Sequence, residues 1–443
     1  MSPLQPTDDR LSWGRVVRAP CEAARPRWPD ELPRLIGEAA GHAGGALAVG
    51  LGRSYGDSGL NPGGVVLDLT GLDRVHAFDP ASGVVRADAG LSLDALIRLA
   101  LPHGWFPPVV PGTRFVTLGG AVANDIHGKN HHRAGTFGRH VQRLGLWRTD
   151  GSFHELGPDN GDGLFAATVG GLGLTGVIAW VELQLEKVAG AFLEAEDAPF
   201  GSLAEFFALS ADSEAGFAHT VAWIDCTQGG RRLGRGIFTR ANPSPRRERT
   251  QHRTPRLALP VDLPGFALNP LTLKAFNAAY YRLKRADAGR RTLHYEPVMF
   301  PLDAIGGWNR LYGPRGFYQH QCVVPPAAAE PALTEMLRQI AASGEGSFLA
   351  VLKTFGDRPS PGMMSFPMPG ATLALDFRNR GEATHRLLDR LDAIVAEAGG
   401  RLYPAKDGRM SPTMLAAGYP NLDRFRAHID PGLSSGFARR VQI

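Results

Sequence analysis

Cysteine is scarce in this sequence. Three cysteines occur among 443 residues, Cys21, Cys226 and Cys322, and no two of them form a CxxC pair. A disulfide framework needs several cysteines, and a structural zinc site needs clustered ones. Neither a disulfide framework nor a thiolate metal centre is therefore predicted.

Long apolar runs are also lacking. A membrane-spanning helix needs about 20 consecutive apolar residues, and no stretch approaches that length. The opening sequence, MSPLQPTDDR, contains no apolar core of the kind that secretory signals have. We therefore expect no signal peptide and a cytoplasmic location.

Lysine is the third scarce residue. Lysine and arginine together number 48, and counting along the chain gives 6 lysines and 42 arginines. Three of the lysines, Lys129, Lys353 and Lys406, fall in stretches that other features mark as candidate sites. The net charge of +5 favours anionic ligands. No zinc-finger, RRM or helix-turn-helix pattern accompanies it, so nucleic acid is not a predicted partner.

The length and composition indicate a globular protein of two domains. A chain of 443 residues is longer than one ordinary core supports. Hydrophobic residues make up 43% and charged residues 21%, as in typical globular proteins. Apolar spacing predicts helices over 93–101, after Ser92 as a cap, and over 333–340 and 387–398. A hairpin is predicted around Asp150-Gly151.

The most ordered polar stretch runs from Pro111 to His132, PGTRFVTLGGAVANDIHGKNHH. Its small residues let a backbone approach a flat or anionic ligand closely. The polar residues that follow supply hydrogen-bond donors, an imidazole and a point cation. This combination predicts a cofactor site rather than a plain surface loop.

Two further glycine-rich stretches accompany it. The first, GLGRSYGD at 50–57, follows a predicted strand over 46–49 and can turn several backbone N–H groups toward a diphosphate. The second, GLGLTG at 171–176, matches GxGxxG formally. A dinucleotide fold of the Rossmann type requires a strand before this motif and a helix after it. Here a helical stretch precedes and a strand follows, so NAD binding is not predicted.

Together these motifs resemble the FAD-binding domain of vanillyl-alcohol-oxidase-type flavoproteins. GLGRSYGD, DIHGKNHH, TVGGLGLTG and LYPAKD occur in an order that is similar to the decaprenylphosphoryl-β-D-ribose 2-oxidase family, from about residue 13 to the C-terminus. DIHGKNHH is specific to that family, whereas the glycine loops alone indicate only the superfamily. The resemblance implies an α+β fold: a PCMH-type FAD-binding domain over 1–187, completed by 400–443, and an antiparallel-sheet cap over 188–399.

The resemblance implies FAD as the cofactor. Many relatives carry a histidine, attached covalently to the flavin, where this sequence has Arg53, so we expect FAD to be dissociable. The residues that the resemblance assigns to the cofactor are Gly50, Leu51, Gly52, Arg53, Ser54, Tyr55, Gly56, Asp57, Ser58, Gly112, Thr117, Leu118, Gly119, Gly120, Asn124, Asp125, Ile126, His127, Gly176, Val177, Ile178, Tyr403 and Lys406.

Three residues are candidates for catalysis. His127 is the expected general base for an alcohol proton, since imidazole titrates near neutral pH. Lys406 is expected beside the flavin, where a cation stabilises the reduced ring, and Lys129 is expected to hold the sugar or its phosphate. The residues expected to line the substrate pocket are Lys129, Trp223, Gln321, Lys353 and Thr372. A metal site of His127, His131 and His132 is the alternative, but no carboxylate or cysteine set completes it, and no metal is predicted.

The implied reaction is oxidation of the ribose 2-hydroxyl of a polyprenyl-phosphoryl-β-D-ribose. A reductase partner then reduces the keto sugar and completes epimerisation to the arabinose form, a step of cell-envelope biosynthesis. An aldonolactone or sugar-alcohol oxidase of the same superfamily is the alternative enzyme. A redox-idle flavin-binding subunit is the alternative of another class, and a metal-dependent hydrolase is the most remote one.

Some positions depart from the resembled family. Thr372 and Ala374 stand where its members carry asparagine and a cysteine that nitroaromatic inhibitors attack, and Met299 replaces a tyrosine. Residues 231–256 are strongly basic, and the apolar residues 257–276 are interrupted by prolines, which excludes a continuous helix. A surface excursion and a mobile segment near 240–280 are the two interpretations. The second would suit peripheral contact with the inner membrane.

Overall fold

A computed structural model of the chain describes residues 4–253, 257–265 and 268–443. Its strands are β1 (Gln5–Leu11), β2 (Arg18–Ala24), β3 (Ala46–Val49), β4 (Val65–Asp68), β5 (Val75–Asp79), β6 (Val84–Asp88), β7 (Trp105–Phe106), β8 (Val141–Trp147), β9 (Phe153–Leu156), β10 (Val177–Gln184), β11 (Glu186–Lys187), β12 (Phe192–Phe200), β13 (His219–Ile224), β14 (Gly236–Pro243), β15 (Leu257–Ala258), β16 (Gly289–His294), β17 (Ile305–Gly306), β18 (Phe317–Val324), β19 (Ala350–Phe355), β20 (Gly370–Arg378) and β21 (Arg401–Leu402). Its α-helices are α1 (Leu32–Ala40), α2 (Leu93–Ala100), α3 (Leu118–Ala123), α4 (His131–Ala134), α5 (Leu164–Thr168), α6 (Leu203–Glu214), α7 (Pro270–Ala286), α8 (Tyr295–Met299), α9 (Pro326–Ser343), α10 (Glu382–Glu397), α11 (Pro412–Gly418), α12 (Leu422–Arg426) and α13 (Gly436–Val441).

Two sheets form the first part of the chain. The first has the order β1-β2-β4-β3, with β2 and β3 both parallel to β4. The central strand β4 begins with three fully buried apolar residues, as expected for a strand covered on both faces. The second sheet is antiparallel, with the order β5-β6-β10-β8-β9. The glycine loop at 50–57 leaves β3, so the first sheet positions it.

An eight-stranded antiparallel sheet forms the second part, with the order β16-β12-β14-β13-β19-β20-β18-β21. Alternate residues of a strand face opposite sides of a sheet, and β20 shows the consequence. Its apolar residues, Leu373, Leu375 and Phe377, pack in a core with helices α6, α9 and α10. The residues between them, Thr372, Ala374 and Asp376, face the other side and line a cavity.

The C-terminal section returns to the first part. β21 pairs with β18, and the next residues approach the glycine loop, where the Tyr55 N–H donates to the Ala405 carbonyl over 3.0 Å. Gly56 packs against the backbone of Asp407 so closely that a Cβ there would overlap the Asp407 carbonyl. Arg440 on α13 then bonds both Asp57 and Asp407.

Several predictions of local structure are confirmed, including the α+β class. The Ser92 hydroxyl accepts from the Ala95 N–H over 3.1 Å and caps α2. β8 and β9 form the hairpin around 150–151, and α9 and α10 cover the predicted helices. The GxGxxG stretch lies between α5 and β10, in the order that excludes a Rossmann motif.

The segment predicted near 240–280 contains β14, β15 and the start of α7. Residues 257–276 do not form a continuous helix, as predicted, because α7 begins at Pro270, with the Asn269 side chain as its cap. Residues 254–256 and 266–267 of this segment lie outside the described residues. The mobility of the segment stays a prediction. Across the described ranges, no helix combines the length and the apolar character that crossing a membrane requires.

Candidate active site

A cavity of about 730 Å³ lies between the two parts of the chain. The glycine loops line one side, and the eight-stranded sheet and α7 line the other. All five predicted substrate residues line it: Lys129, Trp223, Gln321, Lys353 and Thr372. So do most of the predicted cofactor residues, namely Gly50, Leu51, Gly52, Arg53, Ser54, Tyr55, Ser58, Gly112, Thr117, Gly119, Gly120, Asn124, Ile126, His127, Gly176, Ile178, Tyr403 and Lys406.

Five predicted cofactor residues are packed behind the cavity wall instead. Asp57 pairs with Arg440, and Gly56 contacts Asp407. Asp125 is fully buried, and its carboxylate accepts from the Gly138 N–H and the Ser365 hydroxyl. Leu118 and Val177 belong to the apolar core. These five residues support the wall, and sequence motifs alone did not separate them from residues that face the cavity.

The two glycine stretches approach each other too closely for side chains. A Cβ on Gly50 would overlap the Thr117 side chain, and a Cβ on Gly119 would lie 2.9 Å from that of Ala89. The backbone N–H groups of Gly52, Arg53 and Ser54 donate no hydrogen bond to any described residue. A concave backbone with free N–H donors fits an anionic diphosphate. The residues present therefore fit a dinucleotide such as FAD.

Arg53 occupies the position at which the resemblance described above implies an attachment histidine in many relatives. Its guanidinium lies 4.0 Å from the centroid of the Trp13 ring, and its Nε donates to the Phe115 carbonyl over 3.2 Å. Burial lowers its pKa, and Asp303 opposes that effect. A guanidinium cannot form the flavin bond that an imidazole forms, so the side chain at this position acts through charge and stacking.

His127 is buried among aromatic rings. Its ring centroid lies 4.9 Å from that of Phe355 and 5.3 Å from that of Tyr403. Its Nε2 lies 3.2 Å from the Gln321 amide nitrogen, and its Nδ1 has no partner among the described residues. Burial, together with the charge of Lys353, holds the pKa of His127 well below its usual range. The imidazole is therefore neutral near pH 7 and has a lone pair that can accept a proton.

Four of the six lysines line this cavity. Lys284 pairs with Asp197, and the other three are Lys129, Lys353 and Lys406. Lys129 Nζ donates to the Met299 carbonyl over 2.8 Å, and Lys353 Nζ donates to the Gly128 carbonyl over 2.9 Å. Burial lowers the pKa of Lys129 to about 8, of Lys353 to about 7 and of Lys406 to about 8. None of the three forms an ion pair within the described ranges. Such a cluster favours an anionic ligand, which would restore the charged form of each amine.

Tyr403 and Lys406 bring the C-terminal section to the cavity. The Tyr403 hydroxyl donates to the Asn124 carbonyl over 2.9 Å, and its ring stacks on Phe366 at 4.5 Å. Lys406 Nζ lies 3.9 Å from the centroid of the Tyr55 ring. Residues about 350 positions apart thus meet at one wall, as the order of the motifs implied.

Three carboxylates at the cavity were missed by the sequence reasoning, Asp197, Asp303 and Asp376. Asp197 pairs with Lys284 and Arg291. Asp303 accepts from the Arg114 N–H over 2.8 Å. Asp376 is fully buried, and burial raises its pKa to about 7. A signal for Asp376 was present, since it continues the alternation of Thr372 and Ala374 along β20.

Trp223 and Gln321, two of the predicted substrate residues, make hydrogen bonds and ring contacts with neighbouring side chains and backbone. Trp223 Nε1 donates to the Phe348 carbonyl over 3.0 Å, and its ring lies 4.7 Å from that of Tyr280 on α7. Gln321 donates to the Thr372 hydroxyl over 3.4 Å.

The histidines of the metal alternative take other contacts. His132 Nε2 contacts the Phe217 carbonyl at 2.8 Å, and His131 packs on Phe355 at 4.5 Å. In the part of the chain that the structure describes, no three His, Cys, Asp or Glu residues gather as metal ligands.

Comparisons with known proteins agree with this geometry. Residues 22–157 match a family model described as an FAD binding domain. The chain is 39% identical to the decaprenylphosphoryl-β-D-ribose oxidase of Mycolicibacterium smegmatis, over 98% of this chain and 97% of that protein. It is 36% identical to an uncharacterised protein of Streptomyces coelicolor, over 80% of this chain and all of that protein. An L-gulono-1,4-lactone dehydrogenase of Mycobacterium tuberculosis is 34% identical over 39% of each chain.

Proposed function

Since this chain belongs to the decaprenylphosphoryl-β-D-ribose oxidase family, we propose that it oxidises the ribose 2-hydroxyl of a polyprenyl-phosphoryl-β-D-ribose to the 2-keto sugar. The chain is an FAD-dependent oxidoreductase, and the family assignment and the matched domain both give FAD as its cofactor. The observation that carries the choice of substrate is the cluster of three partly buried lysines at one cavity, which suits a sugar linked to a phosphodiester.

Each catalytic role follows from a contact. Bound FAD supplies the hydride acceptor. His127 takes the hydroxyl proton at Nε2 once the substrate hydroxyl displaces the Gln321 amide nitrogen, which lies 3.2 Å from it. After the oxidised sugar leaves, the Gln321 amide can turn its carbonyl toward the new N–H and stabilise the imidazolium. Lys406 places a cation at the cavity wall, where negative charge develops.

The other two lysines, Lys129 and Lys353, orient the substrate. Both line the cavity, Lys129 from the DIHGKNHH stretch and Lys353 from β19, and Lys353 bonds the carbonyl of Gly128, next to Lys129. Each is already held by a backbone carbonyl, which fixes the direction of its ammonium. A phosphodiester between them would be bound by charge from both parts of the chain.

The test is anaerobic mixing of the FAD-loaded protein with substrates while flavin absorbance is followed. Polyprenyl-phosphoryl ribose should bleach the flavin, whereas free aldonolactones and alditols should not. Lys406→Ala and His127→Ala should each bind FAD and be reduced at least about 10²-fold more slowly. If flavin is reduced at the wild-type rate in either variant, the substituted residue has no role in the mechanism. Persistent absorbance with every sugar would indicate a redox-idle flavin protein.

A lactone substrate is the second candidate function. The similarity to L-gulono-1,4-lactone dehydrogenase favours it, but that similarity covers 39% of this chain. Bleaching by the lactone at a rate above that with the lipid-linked ribose would favour this alternative.

We also propose peripheral contact with the membrane that supplies the lipid. Large apolar side chains are exposed on 257–283 close to the cavity, and basic side chains accompany them on α7, such as Lys274 and Arg282. The most exposed are Leu271 at 80%, Leu283 at 71%, Leu257 at 70% and Val261 at 67%. Phe276, on the same helix, lines the cavity. Apolar residues beside basic ones suit an anionic lipid surface.

Vesicle sedimentation tests this contact. Wild-type protein should sediment with phosphatidylcholine vesicles that contain phosphatidylglycerol, and the double variant Leu271→Ser/Leu283→Ser should stay in the supernatant. The control is Phe153→Ser, which removes an exposed apolar side chain from β9 instead. Equal sedimentation of all three proteins would contradict the proposal.

Finally, we propose a domain division and a partner. Residues 1–187 and 400–443 would form the FAD-binding domain of a cytoplasmic enzyme, and 188–399 its cap. A separate reductase would reduce the keto sugar and yield the arabinose epimer. Accumulation of the keto sugar without added reductase, and its loss when a reductase is added, would test this sequence of reactions.

A further inference from the structure

Asp376 has no role in the mechanism above, yet the fold fixes it at the cavity wall. Its Oδ1 accepts from the Gln319 amide over 2.6 Å, and its Oδ2 accepts from the Tyr312 hydroxyl over 3.3 Å. Its own N–H donates to the Ser347 hydroxyl over 3.1 Å. A fully buried carboxylate is costly unless neighbouring groups compensate its charge. These two side-chain donors are neutral, so the compensating cation has to come from elsewhere.

Lys406 is the cation that faces Asp376. The two are connected through neighbouring side chains: Lys406 lies on the Tyr55 ring, Gln319 is a neighbour of Tyr55, and the Gln319 amide bonds Asp376. Both Asp376 and Lys406 line the same cavity. The carboxylate is thus held at a fixed place beside the ammonium without forming a direct ion pair with it.

We propose that Asp376 is a positioning residue for Lys406: its fixed carboxylate keeps the amine charged and directed along the Tyr55 face, toward the reacting ring. The inference rests on the proposed function only in giving Lys406 its catalytic role. Asp303 stands in the same relation to Lys129, and both line the cavity. The fold therefore provides one buried carboxylate for each of these two lysines.

The charges around Lys406 support this assignment. Burial lowers the pKa of Lys406 to about 8, and Asp376 is the group that opposes the shift. Lys353 on β19 and His127 on the DIHGKNHH stretch also face Lys406. A charged Lys353 repels it, and His127 is neutral near pH 7. Of these three groups, Asp376 is therefore the one whose charge favours the ammonium of Lys406.

The scarcity of lysine makes a direct test practical. Full-length, FAD-loaded protein labelled with ¹³C at lysine Cε gives a signal for each of its 6 lysines, and Lys406→Arg identifies one of them. In Asp376→Asn, the Lys406 signal should titrate about 1 pH unit or more below its wild-type midpoint. The matched control, Asp303→Asn, should move the Lys129 midpoint and leave that of Lys406 in place.

Two outcomes would overturn the proposal. One is an unchanged Lys406 midpoint in an Asp376→Asn protein whose other lysine signals match the wild type. The other uses a Lys353→Met background, because the pKa of Lys353 is also about 7. There the Lys406 signal should keep an additional inflection near pH 7 that comes from Asp376, and its absence would contradict the coupling. Because these titrations need no substrate, a failure of flavin bleaching would contradict the proposed function and leave this inference standing.

Discussion

Lys406 Nζ lies 3.9 Å from the centroid of the Tyr55 ring, so an ammonium from the C-terminal section rests on an aromatic face from the first glycine loop. Such a contact stabilises the charged amine, most strongly where water is excluded. The ring face, rather than the hydroxyl, provides this stabilisation.

The two properties of Tyr55 can be separated by substitution. Tyr55→Phe keeps the face and should be reduced by substrate at a rate within about 3-fold of the wild type, whereas Tyr55→Leu removes it and should slow reduction by about 5- to 30-fold. Stopped-flow measurement of flavin bleaching gives both rates. Equal rates in the Phe and Leu variants would show that the ring has no such role.

The rate of flavin reduction should fall as pH rises through about 8. The pKa of Lys406 is lowered to about 8, so its ammonium is present below that pH and lost above it. Lys406→Arg keeps its charge because arginine does not deprotonate in this range. We expect Lys406→Arg to reduce its flavin more slowly than the wild type, at a rate that does not fall as pH rises through about 8. If the rate in the arginine variant falls with the same midpoint pH, the fall is caused by the titration of another group.

Lys353→Met should stabilise the FAD-free protein near neutral pH. Burial, with the charges of Lys129 and Lys406, lowers the pKa of Lys353 from 10.5 to about 7, a penalty of about 4–5 kcal/mol for the charged form. Loss of the bond to Gly128 offsets part of this, which leaves an expected gain of about 1–3 kcal/mol.

The size of this gain in stability depends on pH. The penalty is fully present below about pH 7 and is relieved as pH rises toward 10.5. Denaturant unfolding should therefore show a higher free energy of unfolding for the variant at pH 6.5 to 7, at or below the pKa of Lys353 in the folded protein. The difference from the wild type should become smaller at higher pH. An advantage that does not change with pH would indicate a packing effect.

Nitroaromatic inhibitors that attack a cysteine should not modify this protein covalently. Ala374 lines the cavity where the resembled family carries that thiol, and Cys21, Cys226 and Cys322 are all buried elsewhere. Ala374→Cys should create sensitivity, and intact-mass analysis would show the adduct. An adduct on wild-type protein would mean that one of the three buried thiols is reachable.

The FAD should leave the protein completely on denaturation. Arg53 cannot attach the flavin, so acid precipitation should leave a colourless pellet and a yellow supernatant. Arg53→His restores the residue that relatives use, and retained colour in its pellet would show that the position is correctly placed for attachment. Colour retained by the wild-type pellet would contradict the prediction of dissociable FAD.

The sequence motifs located most of the cavity wall because each is continuous in the chain. GLGRSYGD, DIHGKNHH and LYPAKD all reach it, and their order placed the return of the C-terminal section correctly. Asp303 and Gln319 could not be found in the same way, because they come from separate elements that only the sheet order brings together. The alternation along β20 was the one local pattern that extended to Asp376.

Motifs also could not separate side chains that face the cavity from those behind it. Asp125 and Asp57 belong to the motifs, yet Asp125 bonds Gly138 and Ser365, and Asp57 bonds Arg440. The start of α7 was readable from Asn269-Pro270, since asparagine is a favoured cap and proline a favoured first residue. The apolar character of 257–276 masked that signal.

The contact of Gly56 with the Asp407 backbone, and the hold of Arg440 on both neighbouring carboxylates, set the order in which this protein can mature. During synthesis the first glycine loop emerges long before the section that presses against it. We therefore expect a nascent chain to lack a finished pocket until α13 has left the ribosome. Capture of the yellow dinucleotide then becomes a post-translational event, and truncation by a few dozen residues at the end would yield a chain that is made but never loaded.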